Sequence, residues 1–249
     1  MLELNRQIQP DVQCRLITAL AHHKTEILEA QRLRYQMFSE EIGGHPSSAD
    51  EGLYCDAFDN YCEHLLMRES DDNQVVGTYR ILSPDRAKKF GGYFSQTEFD
   101  LSRLLHLGDR MVEAGRPCVQ PEYRDVESID LLLSGLKQYM QQNRHEYLIG
   151  IVSISMADGG HVAASLYRKL RRIYSAPAEY SVFPRYPLPL HALNQFLDAP
   201  IPPLLKGYLR LGAYICGEPA WDPEFNTANL FILLPMSRMR SRPAMPLLK

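Results

Sequence analysis

The chain has 249 residues, 45 % apolar and 23 % charged, which is enough to bury a sizeable core as one large domain or two small ones. No run approaches the roughly 18–20 apolar residues of a membrane-spanning helix, and MLELNRQIQPDVQC at the start has no apolar signal core. Five scattered cysteines (Cys14, Cys55, Cys62, Cys118, Cys216) without a CxxC pair speak against a zinc site or a disulfide framework and for a reducing cytoplasm. The net charge of −3 is unevenly spread. Residues 1–150 hold 16 Lys+Arg against 24 Asp+Glu, and residues 151–249 hold 11 against 6. The basic half, with Arg168, Lys169, Arg171, Arg172 and the tail Arg238, Arg240, Arg242 and Lys249, suits an acidic protein or anionic lipid. A solvated helix face and a loose tail would look the same. No nucleic-acid motif accompanies the charge.

In chain order, Val12, Cys14 and Leu16 alternate with polar residues and predict a strand over 12–18. Thr25 can cap a helix over 26–42, stopped by Gly43-Gly44, in which Arg34 and Phe38 share a face. A polar loop fills 43–60. Strands over 63–69 and 75–82 flank the turn SDDNQ as a hairpin, with Arg80 on the face of Val76 and Thr78. Residues 86–100 read as irregular, followed by a short helix near 100–106. MVEAGRPCV reads as a strand. Asp125 then caps an amphipathic helix whose apolar face is Ile129, Leu132, Leu133, Leu136 and Met140. That strand–loop–helix joint gathers free N–H groups and a positive helix end, which suits a phosphate; an ordinary β–α connection reads equally well. Tyr147–Ser153 is apolar enough to be buried on both faces. A helix over 161–173, a proline-rich connection, a helix over 204–213 and a strand over 230–234 follow. With no repeat and no clear linker, the order predicts one α/β domain spanning 1–249 with a mixed sheet.

There is no GxSxG elbow, Walker A loop, HExxH or Cys/His quartet. His45 and Asp50 have the His-x4-Asp spacing of glycerolipid O-acyltransferases, but they sit in a Ser/Pro/Gly loop and no other block of that family accompanies them. The central strand is more informative. Glu113 and Arg116 flank Gly115, and in a regular strand they face opposite sides. A bulge near Gly115 would bring them together and turn a backbone N–H outward. A carboxylate to take a proton, a guanidinium to clamp a carboxylate and an N–H for an oxyanion would then meet. A buried structural Glu–Arg pair is the plain alternative.

Seven blocks, in order, resemble the L-ornithine Nα-acyltransferases, the acyl-carrier-protein-dependent "hemolysin-like" members of the GNAT superfamily. They are LRYQMFSEEIG (33–43), DAFDNYCEHLLM (56–67), VVGTYRIL (75–82), GGYFSQTEFDL (91–101), EAGRPCVQPEYR (113–124), PPLLKGYLRLGA (202–213) and FNTANLFILLP (225–235). A more distant resemblance is to acyl-homoserine-lactone synthases. It carries substrate-site roles onto Arg34, Phe38, Asp56, Asp59 and Arg80, and catalytic roles onto Glu113 and Arg116. These resemblances imply a mainly antiparallel mixed sheet flanked by helices. They also imply a phosphopantetheine arm received at Val119, Gln120, Tyr123, Arg124 and Val126, although this loop lacks the usual glycines. The implied reaction is direct transfer of a (3-hydroxy)fatty acyl group from acyl-acyl-carrier protein to the α-amine of ornithine. It needs no metal and no permanently bound cofactor. It implies a cytoplasmic protein that meets carrier protein and touches an anionic inner-membrane surface. The alternatives are another amino acid acceptor (glycine or tyrosine), lactone synthesis, or a non-catalytic acyl-carrier or lipid-binding module.

Overall fold

Β-branched and aromatic runs build one sheet at the centre of the molecule, and amphipathic helices close over its two faces. The structure, a computed structural model, describes residues 16–42, 49–50 and 52–239, and no side chain of residues 38–51. In chain order the elements are β1 (Leu16–Leu20), α1 (Lys24–Ile42), a short pair β2 (Ala49–Asp50) and β3 (Leu53–Tyr54), β4 (Glu63–Glu69), β5 (Val75–Leu82) and α2 (Pro84–Phe90). Next come β6 (Phe99–Asp100), β7 (Met111–Val119), α3 (Val126–Gln142), β8 (Tyr147–Ser155), α4 (His161–Tyr174) and β9 (Phe183–Pro184). The described chain ends with α5 (Pro203–Leu211), β10 (Tyr214–Ile215), β11 (Ala220–Asp222), β12 (Thr227–Pro235) and α6 (Met236–Met239). The sheet order is β1-β4-β5-β7-β8-β12-β10, with β11 also paired to β12. Its pairs are antiparallel except β7–β8, which α3 joins as a parallel crossover. This is the mixed, mainly antiparallel sheet expected from the sequence.

The apolar stripe of α3 is buried as predicted: Ile129, Leu132, Leu133, Leu136 and Met140 pack with Leu65, Met67, Val112 and Val152. The opposite face is covered in two places. Ala30, Leu33 and Met37 of α1 pack on Leu66 and Val75. Strand β6 and the segment after it pack Phe99, Leu104 and Leu107 on Ile149, Phe231 and Leu233.

Local expectations hold where a pattern is strong. The hairpin strands have the predicted ends, and Asp125 caps α3 by accepting the Ser128 N–H at 2.8 Å. Three differ. Thr25 lies inside α1 rather than capping it; the Glu26 carboxylate takes the N–H groups of His22 (2.7 Å) and His23 (3.0 Å), so the helix is closed from within its first turn. The stretch read as irregular contains α2, with Pro84 at its first position and Gly91 in the left-handed conformation after it. Strand β8 is buried through Gly150, but Ser153 and Ser155 are exposed, because there the strand borders an opening. Val12 and Cys14 of the predicted first strand, His45, and the tail Arg240, Arg242 and Lys249 lie outside the described residues, as do the side chains of Phe38 and Asp50.

That opening follows from register. Strands β7 and β8 pair only from Met111↔Tyr147 to Ala114↔Gly150, then part, while β7 stays on β5 and β8 stays on β12. On β7, Arg116 and Pro117 stand opposite Tyr79 alone, between the pairs Arg80↔Gly115 and Thr78↔Cys118. This is the bulge. Arg116 has φ 50°, a rare conformation for a non-glycine residue, and Pro117 has no N–H to offer β8. At the last paired position the backbones need glycine: a Cβ on Gly150 would lie 2.5 Å from the Ala114 carbonyl oxygen. We expect Gly150→Ala to cost roughly 1–3 kcal/mol of stability, measured by urea unfolding, because backbone rather than a flexible side chain must give way.

Candidate active site

Where β7 and β8 part there is a cleft of about 600 Å³. Its apolar wall includes Ile129, Leu132, Val152 and Leu204; its polar end includes Glu98, Glu113, Arg116, Asp222 and Asn229.

The bulge does bring Glu113 and Arg116 to one side, and the ring of Phe94 links them. The Arg116 guanidinium lies 4.8 Å from the centre of that ring, and the Phe94 N–H donates to Glu113 Oε2 at 2.6 Å. Arg116 also stacks on Tyr54 and Phe225, each at 5.4 Å, and reaches Asp56 Oδ2 at 3.5 Å. Its Nε is buried without a hydrogen-bond partner among the described residues.

The other sequence-predicted charges form a chain leading to it. Arg34, almost fully buried on α1, donates to the Tyr54 carbonyl from Nε (3.2 Å) and Nη2 (3.0 Å) and from Nη2 to Asp59. Arg80 Nη1 bridges Asp59 Oδ2 (3.2 Å) and Asp56 Oδ1 (2.6 Å). The two aspartates also brace their own turn: the Asp56 N–H donates to Asp59 Oδ2 and the Phe58 N–H to Asp56 Oδ1, both at 2.9 Å. Burial alone would raise the Asp59 carboxyl, but Arg34, Arg80 and the Asp56 N–H outweigh it and hold the group below the usual carboxylate range. His64 packs against the same carboxylate; burial and Arg34 push its imidazole down, which keeps it neutral.

The expected phosphopantetheine residues divide. Val119 and Arg124 line the cleft, and Arg124 Nε donates to the Val119 carbonyl at 2.8 Å. Gln120 spends its N–H on the Val76 carbonyl, and the Tyr123 hydroxyl donates to Glu69 at 2.5 Å, so both are tied to the β4–β5 hairpin. Val126 stands at the N-terminus of α3 and is 44 % exposed. No cluster of metal-ligating side chains occurs among the described residues.

The sequence reading missed Glu98. It follows a 3-10 turn over Phe94–Thr97 in the stretch read as irregular, where no periodicity marks which way a side chain points. Its Oε2 accepts from Asn229 Nδ2 at 2.6 Å. Burial lifts this carboxyl from its ordinary 4.5 to about 7; Asp222 and Glu113 add to the rise, and Asn229 and Arg116 oppose it. The sequence offered little signal: Glu98 sits among Ser95, Gln96, Thr97 and Asp100, and only Asn229, at the start of the apolar run Leu230–Leu234, interrupts a strand.

Two stability predictions follow from these charges. Asp59→Ala strands Arg34 and Arg80 in the interior and is expected to cost about 3–5 kcal/mol in urea unfolding. Glu98 acts with the opposite sign. Its folded pKa lies above the unfolded one, so the folded state holds the extra proton and stability falls as pH rises from about 4.5 to about 7. Wild type should therefore lose more stability between pH 5 and pH 8 than Glu98→Gln does.

Residues 33–134 match the family model described as an acetyltransferase (GNAT) domain. The L-ornithine N(alpha)-acyltransferase of Brucella abortus is 33 % identical over 241 residues, 90 % of this chain and 85 % of the relative. Those of Agrobacterium fabrum (34 %, 91 % and 83 %) and Rhodobacter capsulatus (34 %, 90 % and 91 %) are similar. Among solved structures, the fold matches the AHL synthase LasI with a TM-score of 0.51 at 14 % identity, covering 90 % of this chain and 91 % of the other. It matches the CoA-dependent acyl-homoserine lactone synthase BjaI with a TM-score of 0.52 at 13 % identity, covering 90 % and 86 %. Four relatives of one name, 33–34 % identical over 90–91 % of this chain and 82–91 % of their own length, together with the GNAT domain, decide the family: the chain belongs to the L-ornithine N(alpha)-acyltransferases and is an acyltransferase.

Proposed function

We propose that this acyltransferase moves a (3-hydroxy)fatty acyl group from acyl-acyl-carrier protein to the α-amine of ornithine, giving lyso-ornithine lipid. The shared name of the relatives supports ornithine as acceptor. The observation that carries the site assignment is Arg116. Strained into positive φ at the bulge, half-buried among three rings and with its buried Nε unpartnered, it lines the cleft as a ready seat for an amino acid carboxylate. The chain of ion pairs that ends on it sets three arginines against two aspartates. Arg80, engaged by both aspartates, holds Asp56 in place beside Arg116.

The thioester would enter between β7 and β8, its arm passing Val119 and Arg124 and its acyl chain lying along Ile129, Leu132, Val152 and Leu204. Gln120, Tyr123 and Val126 would frame the entrance. The amine attacks the thioester carbonyl, the oxyanion is held by backbone N–H at the bulge, carrier thiol leaves and an amide remains. Glu113 keeps Phe94 and Ser95, and with them the face on which Arg116 stacks, in register with β7. Arg168, Lys169, Arg171 and Arg172 of α4 offer an acidic carrier protein or anionic lipid headgroups a basic surface. A lipid product suits a protein working in the cytoplasm at the inner-membrane surface.

The test is thiol release from 3-hydroxyacyl-acyl-carrier protein with ornithine, then with other amino acids, and mass spectrometry of the lipid. Ornithine-dependent release with an amide product is expected. Release with glycine or tyrosine but not ornithine would move the acceptor, and a lactone made from S-adenosylmethionine would replace the reaction. Arg116→Ala is expected to lower kcat/KM for ornithine about 10–100-fold, mainly through KM, as loss of a charge-assisted contact does.

A further inference from the structure

The reaction proposed above, on which this inference rests, needs a group to take a proton, because an amino acid's α-ammonium is not nucleophilic. Glu113 is poorly placed to act first. It is 4 % exposed, its Oε2 accepts the Phe94 N–H at 2.6 Å, and its Oε1 accepts the Ser95 N–H at 2.8 Å and the Ser95 hydroxyl. Three of the roughly four lone-pair directions of a carboxylate are thereby taken.

Glu98 is held differently. Its partner Asn229 is almost fully buried on β12, and the Asn229 Oδ1 accepts from the Thr227 hydroxyl at 3.1 Å. That contact orients the amide so that Nδ2 donates to Glu98 Oε2 at 2.6 Å. One oxygen is anchored and the other is left for the cleft, which Glu98 lines together with Arg116, Asp222 and Phe225. Asp222 uses its Oδ1 to accept the N–H groups of Glu224 (2.9 Å) and Phe225 (3.2 Å), which shapes the β11–β12 turn.

We propose that Glu98 is the catalytic residue that takes the proton from the acceptor's α-ammonium, and that Asn229 is the residue that positions it. The step balances within the proposed reaction. One N–H proton moves from the ammonium to Glu98 Oε1, and the nitrogen lone pair forms the C–N bond at the thioester carbonyl. The C–S bond then breaks with its electron pair on sulfur. The second amine proton passes to the departing thiolate as the amide forms, and Glu98 returns the first proton to solvent. Burial of Glu98, opposed by Asn229 and Arg116 and assisted by Asp222 and Glu113, sets its proton affinity near neutrality, where a base works best.

The experiment is the pH dependence of ornithine-dependent thiol release for wild type, Glu98→Gln, Glu98→Asp and Asn229→Ala, with folding of each checked by thermal melting. Wild-type activity should fall as pH drops through about 7. Glu98→Gln should lower kcat about 10²–10⁴-fold with ornithine KM changed only a few-fold, and that inflection should vanish. Glu98→Asp should restore part of kcat and the inflection. Asn229→Ala, which removes the hydrogen bond favouring the ionised form, should move the inflection to higher pH; this readout stands even where Glu98→Gln fails to fold. A folded Glu98→Gln with wild-type kcat and an unchanged inflection overturns the proposal while leaving the acyl-transfer reading intact. A wild-type protein that releases no thiol with any amine overturns both.

Discussion

The site depends on one constraint, the parting of two parallel strands. Strands β7 and β8 are bonded for four residues each and then separate, because β7 carries an extra residue that its other neighbour, β5, accommodates. A parallel pair in the middle of a sheet ordinarily satisfies every backbone group on both sides. Here Pro117 removes a donor and Arg116 turns the chain out of the pleat, so continued pairing to β8 would leave gaps in the ladder. Separation makes an opening lined by main chain and by side chains from both sheet faces. The close approach of Gly150 to the Ala114 carbonyl just before it makes the transition abrupt.

A bulge that aims an arginine inward needs countercharge, and the molecule supplies it as an alternating chain rather than a single pair. Arg34, Asp59, Arg80, Asp56 and Arg116 run from the interior of α1 to the cleft. Buried ion pairs contribute little net stability once desolvation is counted. Their clearer consequence here is positional. The turn 56–59 has its aspartates bonded to its own N–H groups and paired with arginines from three elements, so the loop between α1 and β4 is held against α1, β5 and β7.

The two carboxyls at the polar end differ by environment, not by type. Glu113 is enclosed and held by three donors from one turn; Glu98 is anchored through one oxygen and borders the opening. Burial raises both groups, opposed at Glu113 by the Ser95 hydroxyl and the Ser95 and Phe94 N–H groups and at Glu98 by Asn229 and Arg116. Two acids at one site can thereby divide structural and chemical work according to which oxygen each leaves free.

The sequence by itself determined the parts that depend on local periodicity and local hydrogen bonding. Alternation and a turn cluster placed the β4–β5 hairpin, and a 3.6-residue stripe behind Asp125 placed α3 and its cap. Polar residues interrupting an apolar strand drew attention to Glu113 and Arg116, and family resemblance pointed to Arg34, Asp56, Asp59 and Arg80. That these four join Arg116 end to end required the fold, because the five charges come from α1, a loop and two strands. Tertiary structure alone decided that Gln120 and Tyr123 turn to the hairpin, that Glu113 is held by three donors, and that Glu98 lines the cleft with one oxygen anchored. Short 3-10 turns and irregular segments have no repeat to orient a side chain. Its direction is set by whatever partner packs nearby, and for Glu98 that partner, Asn229, stands 131 residues away in the chain.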